Sequence, residues 1–147
     1  MALIVLTSPV TDGSYPRRDI SGGPVRFGVG RRWQGRILTG AGLALLPWLG
    51  YLAGTLPPAE AVAWVALDAL EAIALLVTGT RLLRGDSRHR TPAAAAAVLL
   101  LADACIDLAT AAPGAELAVA LSMAVGAELP LAALCARLAA GARQTGR

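Results

Sequence analysis

The sequence predicts an all-α fold, a four-helix transmembrane bundle with both termini cytoplasmic, and three observations carry that expectation. Apolar residues make up 56% of the 147 positions and charged residues only 16%, a balance too apolar for a soluble domain of this size. The apolar residues gather in four runs, and a run of about twenty residues at 1.5 Å each crosses the roughly 30 Å hydrocarbon core. Arginine supplies all 13 basic side chains, and it alternates between the segments that join the runs.

Residues 1–36 are rich in Gly, Pro, Ser and Arg and are expected to form a flexible cytoplasmic leader. The opening apolar run, Ala2 to Leu6, is too short to cross and has no basic residue before it, so it is not read as a signal peptide. Gly28, Gly30, Arg31 and Arg32 lack the GK[ST] sequence of a phosphate loop.

The membrane domain is expected over residues 37–138, with spans at about 37–56, 60–83, 92–112 and 115–138, followed by a tail over 139–147. The first span is uncharged. Pro47 should bend it, and Gly50 and Gly54 offer a small-residue face for close helix contact. Trp48 and Tyr51 lie one turn apart beyond the bend. Pro57 and Pro58 end this span and open the second, with Glu60 in a first turn that favours a carboxylate. Thr91 followed by Pro92 reads as an N-cap and first helical position. Pro113 and Gly114 make the last turn, Glu116 starts the fourth span, and Pro130 follows Glu128 within it.

Six arginines precede the first span, none lies between the first and second, four lie between the second and third, none between the third and fourth, and three close the chain. By the positive-inside rule the termini and the middle loop face the cytoplasm and the two Pro-containing turns face outward, which places the chain in the plasma membrane as a multi-pass protein. The sequence pI of about 9.5 is therefore read as topology, with no nucleic acid as partner. Cys105 and Cys135 fall inside spans at different depths and are expected to be buried free thiols. His89, in the charged loop RGDSRHR, is read as solvated.

The functional clue is acidic. Asp68, Glu71, Asp103, Asp107 and Glu128 sit within the apolar runs, and no basic residue lies between Arg36 and Arg81 or between Arg90 and Arg137. Asp68 and Glu71 are three apart and Asp103 and Asp107 four apart, so each pair shares a helix face. Counted from the outer ends of the spans, Asp107 and Asp68 lie about 8 and 12 Å deep, Asp103 and Glu71 about 14 and 16 Å, and Glu128 about 18 Å. An ionised acid facing lipid at a helix centre costs about 2.5 to 3.5 kcal/mol. Five would rival the roughly 5 to 15 kcal/mol that holds a whole domain together. The acids must therefore face inward, compensated by protons, by a bound cation or by water.

Three functions fit. In the first, the carboxylates bind or conduct a cation: a proton, a hard metal ion or an organic cation. A set without His or Cys favours Mg, Ca or Mn over zinc, so a hard divalent cation is the implied cofactor. Trp48, Tyr51 and Trp64 could line such a site, an aromatic wall suiting a cation. In the second, Asp68, Glu71, Asp103 and Asp107 act as acid and base in a cyclase-like enzyme on a lipid or isoprenoid. In the third, the chain is a structural or accessory subunit whose acids pair with Arg on a partner helix; a homo-oligomer or a partner membrane protein is the assembly expected. The small multidrug transporters also have four helices, but their acid lies on the first span, which here has none.

The segments WVALDALEAIALLVTG from Trp64, LLLADACIDLATA from Leu99 and AELPLAALC from Ala127 resemble small four-span integral membrane proteins of GC-rich actinobacteria. The resemblance covers about residues 37–140 and implies a fold in the lipid bilayer and no known activity.

Overall fold

The computed structural model describes residues 27–141. The first 26 positions of the expected leader and positions 142–147 of the expected tail lie outside the described residues. Among those described, 91% are helical and none is in a strand. The helices are α1 (Phe27–Thr55), α2 (Pro58–Leu83), α3 (Arg90–Thr110), α4 (Ala115–Met123) and α5 (Leu129–Ala140). A 3₁₀ turn, Ser87–His89, precedes α3, and a π-helical turn, Ala124–Glu128, joins α4 to α5. Four stretches, Gly30–Thr55, Ala61–Leu83, Ser87–Thr110 and Ala115–Ala140, are long and apolar enough to cross a membrane. The fold is thus an all-α, four-helix membrane bundle, its fourth span built from α4, the π turn and α5.

Its polarity is inside out. Leu70, Ile73, Val98, Leu101, Val119, Met123 and Val125 face outward, whereas Asp68, Glu71, Thr78, Asp103 and Glu128 are buried. In water this arrangement would expose apolar surface while desolvating carboxylates, two costs of the same sign. In lipid the apolar faces cost nothing, and small residues let the helices close on one another. Much of the interior is accordingly alanine: Ala72, Ala74, Ala93, Ala96, Ala97, Ala104, Ala124 and Ala132.

Packing runs chiefly between α1 and α2 and between α3 and α5, with α2 and α3 joining the two hairpins. The close approach of α1 to α2 does not use Gly50 and Gly54, which face open space. It uses Gly35, Gly42 and Gly79 instead. A Cβ on Gly79 would collide with the Thr39 side chain and stand 2.7 Å from the Thr39 backbone nitrogen and 2.8 Å from the Gly35 carbonyl oxygen. A spacing of four was a sound criterion for contact, but Gly50 and Gly54 lie beyond Pro47, on the exposed outer third of α1.

The other departures are local. Helix α1 begins at Phe27 rather than near Ile37, because Arg31, Arg32 and Arg36 are good helix formers that extend it past the apolar run. Helix α3 starts at Arg90 without a side-chain cap from Thr91. The cap sits upstream, where the Asp86 carboxylate accepts from the Arg88 backbone N–H at 2.9 Å and starts the 3₁₀ turn that leads into α3. His89 is buried, not solvated, because that turn folds its ring back so that Nδ1 meets the Asp86 carbonyl at 2.7 Å. Gly85, at φ 72°, makes the reversal, with its own N–H and that of Asp86 bonded to the last carbonyls of α2. Both cysteines are free, but only Cys135 is buried; Cys105 lies on the outer surface of α3.

Candidate functional site

Two groups of three carboxylates form where α2, α3 and the π turn meet. Oxygens of Asp68, Glu71 and Asp103 lie within 4.8 Å of one another, as do oxygens of Asp103, Asp107 and Glu128. Asp103 belongs to both. The three-residue spacing on α2 and the four-residue spacing on α3 turn each pair to one face, and the antiparallel run of α3 brings those faces to a common depth. All five acids singled out in the sequence are therefore in one cluster.

The π turn sets the fifth. Pro130 has no N–H to give the carbonyl four residues back, and its ring crowds that carbonyl. The helix widens instead: the Leu129 N–H bonds the Ala124 carbonyl, five residues back. Glu128 ends this widened turn and is buried toward Asp103 and Asp107. The signal in the sequence was Pro130 itself, two residues past an intramembrane acid, since π turns gather at functional positions.

Burial is uneven. Glu71 is 2% exposed and Glu128 7%, and Asp68 and Asp103 are buried, while Asp107 is half-buried nearest the Pro-turn end. Among the described residues, Glu71 Oε1 and Glu128 Oε2 have no hydrogen-bond partner. An unpaired buried polar oxygen costs about 1 to 3 kcal/mol, more if charged. Two ionised carboxylates with oxygens within 4.8 Å of one another repel by at least about 3 kcal/mol at an effective dielectric of 20. No basic residue lies between Arg36 and Arg81 or between Arg90 and Arg137, so these spans supply no cationic side chain at the depth of the acids.

Between the cluster and the Arg-bearing end lies a core of Leu38, Ala74, Leu75, Leu82, Ala96, Ala97, Leu100, Ala132 and Cys135. These residues fill the other half of the bundle, so the acids are separated from that end by a packed apolar layer. The predicted aromatic lining is at the rim. Trp48 and Tyr51 stack on one another with ring centroids 5.5 Å apart and are 48% and 59% exposed. Trp64 is half-buried one turn before Asp68.

Comparison with protein-family models, with curated proteins and with solved structures returns no match, so any functional reading rests on this geometry.

Proposed function

We propose that this is a multi-pass membrane protein whose intramembrane carboxylates bind a hard cation reached from the side of the Pro-containing turns. The observation that carries the reading is the pair of buried, unpartnered oxygens, Glu71 Oε1 and Glu128 Oε2, one in each group of three that Asp103 joins. Oxygens on opposite sides of an ion are separated by twice the bond length, about 4.2 Å for magnesium and about 4.6 to 5.2 Å for calcium. In each group the oxygens lie no more than 4.8 Å apart, an upper bound compatible with either ion. The set is oxygen only, which selects magnesium, calcium or manganese over zinc.

The chain's own residues would act in a simple order. Asp107, half-buried and nearest the turns, meets the ion first. Asp103 shares it between the two groups, and Glu71 and Glu128 supply the desolvated inner oxygens. The apolar layer around Leu75, Leu100 and Cys135 stops it passing further in this conformation. Orientation with the arginine end in the cytoplasm makes the entrance external.

Manganese binding to the purified full chain, read by electron paramagnetic resonance, tests this. Saturable binding that magnesium or calcium displaces, and that Asp103→Asn abolishes, is expected. If the wild type binds none of the three ions yet turns over an isoprenoid, the enzyme reading replaces it; acid-dependent copurification of another membrane protein would favour an accessory role.

A further inference from the structure

The opposite end of the bundle carries a second cluster of unlike chemistry. A cavity of about 270 Å³ is lined by Arg31 of α1, His89 and Arg90 at the start of α3, and Arg137, Leu138 and Gly141 at the end of the fourth span. No acidic residue is among the described residues of its lining. Three arginines from three different spans thus line one space, which at ~30 Å³ per water has the volume of roughly nine waters. Arg31 also lines a neighbouring cavity of about 260 Å³ with Arg32 and Arg84, but only the first has a histidine among its described lining.

His89 adds direction. Its Nδ1 lies 2.7 Å from the Asp86 carbonyl oxygen, which can only accept, so Nδ1 carries the proton and Nε2 is the ring nitrogen left for a ligand. His89 is 7% exposed and is held by the Gly85 reversal and the Asp86 cap, so it is preorganised, while Arg31, Arg90 and Arg137 are exposed. Guanidinium forks match the paired oxygens of a phosphate. Nε2 complements them, accepting from a P–OH or, when the ring is charged, donating to a P–O.

We propose that this cavity binds a phosphate group, carried either by the headgroup of an anionic lipid in the adjoining leaflet or by a soluble phosphorylated molecule. Arg31, Arg90 and Arg137 clasp its oxygens from three spans, and His89 fixes its orientation. The site is independent of the carboxylate cluster and stands whether or not that cluster binds a cation.

The test is equilibrium binding of radiolabelled phosphatidic acid and of radiolabelled inorganic phosphate to the detergent-solubilised full chain. Saturable binding of phosphatidic acid that excess phosphatidylcholine does not displace and millimolar phosphate does not compete with identifies a lipid headgroup. Saturable binding of inorganic phosphate identifies a soluble source. Arg90→Lys and Arg137→Lys retain the charge that orients the chain but lose the fork, and each should weaken binding about tenfold. His89→Asn keeps a donor for the Asp86 carbonyl and removes Nε2, and should weaken binding several-fold with helicity unchanged. Arg88→Gln removes equal charge from the same end outside the cavity and should leave affinity unchanged. The proposal falls if neither probe binds saturably, or if Arg88→Gln costs as much as Arg90→Gln, since binding would then follow the charge of the rim as a whole.

Discussion

Asp103 differs from its neighbours in belonging to both groups of carboxylates, and at the scale of single residues that membership predicts a graded series. Asp103→Asn exchanges one carboxylate oxygen for an amide nitrogen and removes the negative charge common to both groups, and on the proposed reading should lower manganese affinity by on the order of 100-fold or more, since even outer partners of a metal ligand are worth about 10- to 100-fold. Asp107, half-buried and in one group only, should cost about tenfold when changed to Asn. Equal losses at the two positions would argue against a shared hub. Competition titrations with magnesium in the same detergent supply the comparison. The amide is nearly the same size as the acid, so the series changes charge and ligand oxygens without opening a hole.

At the scale of elements, two turns of backbone do what side-chain periodicity could not announce. Gly79 lets α1 lie directly on α2. Gly79→Ala forces a Cβ against the backbone of Thr39 and Gly35, and should lower thermal stability in detergent by about 1 to 3 kcal/mol. Gly50→Ala, facing open space, should leave the unfolding midpoint unchanged. The π turn makes a separate prediction. Pro130→Ala restores an N–H that can bond the Gly126 carbonyl, so the widened turn can close and rotate Glu128 away from Asp103 and Asp107. Helicity by circular dichroism should be retained while manganese affinity drops about tenfold, and an unchanged affinity would show that the turn does not position the acid. These elements also mark how far the sequence could be read. Four spans and the facing of Asp68 with Glu71 and of Asp103 with Asp107 were legible, because length and a spacing of three or four translate directly into helix geometry. Which glycines meet a neighbouring helix was not, since that depends on how α1 and α2 cross, a property of neither alone. Nor was the burial of His89, which depends on a turn whose cap, Asp86, reads as one more charge in a charged loop.

At the scale of the whole molecule the bundle is divided along its axis: carboxylates in one half, an apolar layer of Leu75, Ala97, Leu100 and Cys135 beneath them, and arginines around Arg31, Arg90 and Arg137 at the far end. This polarity gives the molecule a direction, and the arginine count by loop implies which way it points. Single cysteines placed in a Cys105→Ser, Cys135→Ala background resolve it, because the two connecting regions are exposed at Arg88 and Ala112. Arg88→Cys, at the arginine end, should react with a membrane-impermeant maleimide only after the cells are permeabilised. Ala112→Cys, at the turn after α3, should react in intact cells. The reverse pattern would place the half-buried Asp107 on the cytoplasmic side and turn the proposed entrance inward, leaving the coordination geometry intact but requiring the cation to come from the cell interior. Labelling of both positions in intact cells would mean mixed insertion, and the arginine alternation would then be too weak to orient the chain.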